Sequence, residues 1–174
     1  MDHLFETERM IVRKLRSEDA ERLFEIHSGE KVRKWFPNEC YADAREAADA
    51  ISFFSDCVEQ GRLPYVLAVE SKETGELIGD AGVSEVEGQS DAAEIGYVIC
   101  DRFSGQGYAT ELAGAMTGYT VSRFGTRVLY GRVIHGNDAS ARVLEKNGYT
   151  FVKEELGAED DPYGNGMLVY QKEN

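Results

Sequence analysis

A chain of 174 residues, 42% of them hydrophobic, is long enough to bury one well-packed core and short for two, so a single domain over residues 1–174 is expected. A net charge of −13 disfavours nucleic acid as a partner and favours a cationic one. The opening Met1-Asp2-His3-Leu4-Phe5-Glu6 has no basic stretch or apolar run of leader length, and no later segment is apolar enough to cross a bilayer. A soluble, cytoplasmic protein without membrane contact is therefore expected. Cys40, Cys57 and Cys100 are odd in number and widely spaced, which argues against both a disulfide framework and a metal site.

In chain order, Met10 to Leu15 reads as a strand, and Ser17-Glu18-Asp19 as the cap of a helix carrying Ala20, Leu23, Phe24 and His27 on one face. Asp43 is placed to cap a second helix, whose stripe from Ala44 to Val58 stops near Gln60-Gly61. Tyr65–Glu70 and Leu77–Val83, joined by Lys72-Glu73-Thr74-Gly75, form a hairpin. Ala93 to Ile99 alternates as a further strand. From Gly107 the pattern is helical through Tyr119, and Gly114 and Gly118 suggest close packing on a sheet. Val128 to Ile134 is a strand, Asn137 caps a helix ended by Gly148, and two strands follow near Thr150 to Leu156 and Met167 to Gln171. The order implies an α+β (mixed α/β) fold with a central, largely antiparallel twisted sheet flanked by helices.

The junction Arg102-Phe103-Ser104-Gly105-Gln106-Gly107-Tyr108-Ala109 joins a strand to a helix through two glycines. First-turn N–H groups lack intrahelical acceptors, and glycines let a phosphate approach them. A Walker loop would need a Lys-Ser/Thr pair where Tyr108-Ala109 stands, and a dinucleotide fingerprint would need a βαβ unit that the preceding meander does not supply. The pyrophosphate of an acyl-CoA remains.

Arg102, Gly105 and Gly107 resemble the Arg/Gln-x-x-Gly-x-Gly/Ala cofactor loop of the GNAT superfamily of N-acetyltransferases. Asn137, Ser140 and Val143-Leu144-Glu145-Lys146-Asn147-Gly148-Tyr149 are similar to a segment of its branch containing the RimJ and RimL ribosomal-protein N-terminal acetyltransferases. The start Thr7-Glu8-Arg9-Met10-Ile11-Val12-Arg13 resembles that branch as well. The resemblance implies acetyl-CoA as co-substrate, direct acetyl transfer to a primary amine in a ternary complex, and a strand that splays from its neighbour to admit the pantetheine arm past Val98 and Cys100. It assigns cofactor contacts to Val98, Cys100, Arg102, Gly105, Gln106, Gly107, Tyr108, Ala109 and Asn137, with Arg142 and Lys146 as cations for the phosphates.

Transfer to an amine needs a base, a polarised carbonyl and an acid for the leaving thiolate. Many members of the family place a tyrosine acid where this chain has Leu144, so Ser140 is the expected replacement. Glu94, on the strand facing the acyl group, and Glu159, in Glu159-Asp160-Asp161, are the expected base candidates, with His135 a third. Tyr97 and Tyr149 read by default as core packing. Cys100 is the nucleophile of a disfavoured covalent route. The acceptor is expected to be cationic, and the protein a monomer or homodimer. The competing class is an acyl-CoA sensor without turnover.

Overall fold

The computed structural model describes residues 2–157 and 166–174. Among the described residues eight strands form one sheet: β1 (His3–Glu6), β2 (Met10–Arg13), β3 (Tyr65–Ser71), β4 (Leu77–Val86), β5 (Gln89–Ile99), β6 (Val128–Ile134), β7 (Thr150–Glu155) and β8 (Met167–Glu173), in the order β1-β2-β3-β4-β5-β6-β8-β7. Every neighbouring pair is antiparallel except β5 and β6. Parallel neighbours need a crossover, and α4 (Tyr108–Phe124) supplies it. The other helices are α1 (Ala20–His27), α2 (Glu30–Trp35), α3 (Ala44–Gln60) and α5 (Asp138–Lys146). Among the described residues no helix is long and apolar enough to cross a membrane.

Caps act where the sequence places them. The Asp43 side chain accepts from the Glu46 amide, and Gly61 ends α3 in the left-handed conformation at φ 65°. The Asn137 side chain accepts from the Ser140 amide at 3.3 Å. The core is continuous from Met10, Val12 and Leu23 through Leu67, Ile78 and Val83 to Leu112, Met116, Leu129 and Leu144. Gly131 on β6 lets α5 approach, because a Cβ there would lie 2.7 Å from Leu144 Cδ1.

Three local expectations change. Ser17–Asp19 forms a 3-10 turn, and Asp19 is drawn inward, its carboxylate accepting 2.8 and 2.9 Å bonds from the Arg13 guanidinium. Glu70 takes the Arg13 Nε at 2.8 Å, so a buried arginine has charge partners on two sides. Gly114 faces the Asn147 side chain rather than the sheet, and Gly118 is exposed with open space around it. β1, α2 and the 3-10 turns Pro37–Glu39 and Asp101–Phe103 are additional to the sequence reading.

Removing one member of a buried ion pair strands the other. Asp19→Asn is therefore expected to lower unfolding free energy by about 3 kcal/mol, with Glu70 left as the remaining partner of the Arg13 guanidinium. A urea midpoint unchanged from the parent would contradict this role for Asp19.

Candidate active site

The site begins where β5 parts from β6. These strands pair only from Ala92↔Val128 to Glu94↔Tyr130. Beyond Glu94, β5 stays with β4 as far as Ile99, while β6 stays with β8 as far as Ile134. The two halves of the sheet diverge, and one side of β5 loses its strand partner. The Cys100 amide donates to the Ile78 carbonyl at 2.8 Å. By alternation the peptide groups of Gly96 and Val98 face β4, and those of Tyr97 and Ile99 face the gap. Gly79 permits the close approach on the β4 side, since a Cβ there would meet the Val98 carbonyl oxygen.

A first cleft of about 420 Å³ occupies the gap, within the usual size of a small-molecule site. Its walls are Tyr97, Val98 and Ile99 of β5, the Ser104–Gly107 loop, the first turn of α4, one face of α5, and Lys31 and Trp35 of α2. Gly105 and Gly107 have φ of 74° and 84°, so the loop requires glycine at both. The free N–H groups at the start of α4 and the Lys31, Arg142 and Lys146 side chains provide positive potential for an anionic ligand.

Of the residues expected around the cofactor, Val98, Gly105, Gly107, Ala109, Asn137, Arg142 and Lys146 line this cleft. Arg102, Gln106, Tyr108 and Cys100 do not, and each has another engagement. The Arg102 guanidinium bonds Glu76, and its carbonyl accepts from Gln106 Nε2 at 3.0 Å. Tyr108 is buried against Phe103, beneath the Arg9 guanidinium at 4.1 Å. Arg9 also binds the Gln106 carbonyl at 2.9 Å and Glu111 at 2.6 Å. These side chains shape the loop from behind. Cys100 is buried, with its amide committed to β4.

Two further clefts, of about 370 and 540 Å³, lie on the other side. The smaller shares Trp35, Phe36, Asn137 and Ser140 with the first cleft, the larger shares Tyr97 with it, and the two share Glu39, Glu94 and Gly96. At the meeting point the Ser140 and Tyr97 hydroxyls are 3.4 Å apart. Burial pushes the Tyr97 hydroxyl up to about 12, with Ser140 opposing, so it keeps its proton at neutral pH. Burial also raises the Glu94 carboxyl, while Arg132 at 3.6 Å lowers it and Glu155 raises it. Glu39 is an exposed residue, but its carboxyl is partly desolvated by the cleft wall and faces Asp80 and Glu94; desolvation and these two charges push it up to about 7 against the His27 charge.

His27 is fully enclosed. Its Nε2 lies 2.5 Å from Asp80 and its Nδ1 2.6 Å from the Glu39 carbonyl. Burial disfavours the charged ring, but Asp80 and that carbonyl outweigh it and raise His27 to about 9. An imidazolium donates through both nitrogens.

Among the other candidates, His135 is 56% exposed, lies 3.8 Å from Glu154 and lines none of these clefts. Glu159 and its neighbours Asp160 and Asp161 lie outside the described residues. The buried Tyr149 hydroxyl bonds Thr117 at 2.8 Å, a core contact. Leu144 is fully buried, so the side chain standing in place of the family's tyrosine serves packing. Sequence reasoning missed Glu39, His27 and Lys31 as site residues and gave Tyr97 to the core. The six-residue α2 is too short to show a period, and nothing local marks Glu39.

The family profile described as acetyltransferase (GNAT) domain matches residues 9–150. The chain belongs to this family and is an acetyltransferase. It is 30% identical over 146 residues to the uncharacterized N-acetyltransferase YoaA of Bacillus subtilis, covering 84% of this chain and 82% of that protein. Its fold is similar to a ribosomal-protein alanine acetyltransferase from Vibrio fischeri, with a TM-score of 0.83 at 18% identity, covering 98% and 96% of the two chains. It is similar also to RimL, a ribosomal alpha-N-protein acetyltransferase in complex with coenzyme A, with a TM-score of 0.79 at 18% identity, covering 96% and 95%.

Because His27 sits above its ordinary value of 6.5, it contributes stability that is complete below about pH 6.5 and is lost as pH rises through about 9. The contribution is on the order of 3 kcal/mol. The difference in melting temperature between the parent protein and His27→Gln should therefore shrink between pH 6.5 and 9.5; a constant difference would show that the ring is neutral throughout.

Proposed function

We propose that this acetyltransferase is an N-acetyltransferase of the RimJ/RimL-like type, which transfers the acetyl group of acetyl-CoA directly to a cationic primary amine, such as a protein N-terminal α-amine or a small amine. The observation that carries this is the meeting of a cation-lined cleft and two carboxylate-lined clefts at the Ser140–Tyr97 hydroxyl pair.

The residues present fit the co-substrate. Arg142, Lys146, Lys31 and the α4 amides suit its phosphates, and the open edge of β5 offers the Tyr97 and Ile99 peptide groups to an amide-bearing arm. Bound there, acetyl-CoA supplies an acyl group activated as a thioester. Glu94 and Glu39 attract the ammonium form of the acceptor and can remove its proton. The Ser140 and Tyr97 hydroxyls stand ready to donate a proton to the departing sulfur. The burial of Cys100 away from the clefts supports direct transfer over a covalent acyl-enzyme. One domain over residues 1–174, a cytoplasmic location and a monomer or symmetric dimer complete the reading.

Ser140→Ala and Tyr97→Phe should each lower kcat about 10-fold and together about 10²–10⁴-fold, with little change in KM for acetyl-CoA, because the hydroxyls act as acids on the leaving group. The assay is release of CoA thiol with peptides bearing free N-termini, spermidine and an aminoglycoside, corrected for the protein's three cysteines. Stabilisation against heat by acetyl-CoA without thiol release from any acceptor would favour the sensor reading instead.

A further inference from the structure

We propose that Glu39 is the catalytic base that takes the proton from the acceptor amine, and that the buried His27–Asp80 pair is the device that positions it. The proposal rests on the N-acetyltransferase reading above.

Glu39 ends a three-residue 3-10 turn, Pro37–Glu39, between α2 and α3. Its side chain lies on the wall that the two carboxylate-lined clefts share, with Glu94 and Gly96 of β5. So short a turn has little rigidity of its own. It is pinned from below, because the main-chain oxygen of Glu39 receives the His27 Nδ1 proton while Nε2 of the same ring donates to Asp80 on β4. One ring thus ties the end of α1, the turn and the centre of the sheet together. The Glu39 amide donates back to the Phe36 carbonyl at 2.9 Å, and Phe36 borders the cofactor cleft.

The charges around Glu39 suit the task. Asp80 of β4 and Glu94 of β5 favour its protonated form, as does burial, and the His27 imidazolium of α1 opposes them. Tyr41 and, on α3, Glu46 and Asp49 share the larger cleft; Arg132 of β6 and Glu155 of β7 share the smaller. The outcome is a carboxyl that changes charge near neutrality, where a base does most at working pH. Glu94 differs because Arg132 stands 3.6 Å from it and opposes the rise that burial and Glu155 cause, which suits it to receive the ammonium group rather than to take its proton.

The protons balance. Glu39 takes one proton from the ammonium, leaving a neutral amine. The nitrogen lone pair forms the C–N bond as the C–S bond breaks. The remaining excess proton on nitrogen reaches the sulfur through the Ser140–Tyr97 hydroxyls, and Glu39 returns its own proton to water at its open edge.

The test is the pH dependence of kcat/KM for the most active acceptor of the peptide, spermidine and aminoglycoside panel. The parent should lose activity below about pH 7 with unit slope. Glu39→Gln should lose about 10²–10⁴-fold in kcat/KM and the acidic limb with it, at unchanged KM for acetyl-CoA and unchanged melting temperature. Glu39→Asp should recover part of the rate and keep a limb. Glu94→Gln should act mainly on acceptor KM and leave the limb in place. His27→Gln should move the limb to higher pH, because the lost imidazolium had favoured the Glu39 carboxylate, an effect that a merely structural role would not produce. A parent-like limb and rate in Glu39→Gln, with brisk thiol release by the parent, would overturn the assignment alone. No thiol release by the parent from any acceptor would overturn it together with the reading on which it rests.

Discussion

The parting of β5 from β6 beyond Glu94 is the constraint on which the rest of the structure depends. A peptide group inside a protein needs a hydrogen-bond partner, and an open edge in the middle of a sheet is sustained only if something else lines it. Here the surrounding elements are packed to hold the gap open. Gly79 lets β4 close on β5, and Gly131 lets α5 sit down on β6 through Leu144. On the third side α4 enters through a loop whose glycines turn where no other residue turns easily. The gap is thus a built feature, and it offers backbone groups to a ligand in place of a strand.

Electrostatic asymmetry follows from the same opening. A chain at −13 would repel a polyphosphate from most directions, yet the wall made by α2, α4 and α5 gathers Lys31, Arg142, Lys146 and a helix N-terminus. Across the Ser140–Tyr97 junction the sign reverses, and the clefts collect Glu39, Asp80, Glu94 and Glu155. Asp80 is compensated by His27, so its charge is spent on structure. Glu94 shares its charge with Arg132 at 3.6 Å, and Glu39 faces the opening.

Much of this was legible in the residues. The run Val128–Ile134 reads as a strand at its true limits, and Asp43, Gly61 and Asn137 mark helix ends by local hydrogen bonding alone. The glycine loop is legible because its two left-handed turns, at Gly105 and Gly107, call for glycine. What failed was everything decided by distant partners. The α2 helix is six residues long with only Val32 fully buried, too short to show a period. Four-residue β1 is held by the edge of β2 rather than by its own pattern. Asp19 looks like a cap until Arg13 draws it inward. Glu39 sits in an unremarkable Pro-Asn-Glu turn, and its surroundings, the cleft wall with Asp80 and Glu94, come from far off in sequence.

The most direct test of the central claim is residue-resolved amide hydrogen exchange with and without acetyl-CoA. If the gap between β5 and β6 is the cofactor site, the amides of Tyr97 and Ile99 and those at the start of α4 gain protection on binding, while Gly96 and Val98, already bonded to β4, change little. Protection that appears only around the carboxylate-lined clefts, with Tyr97 and Ile99 exchanging as before, would contradict it.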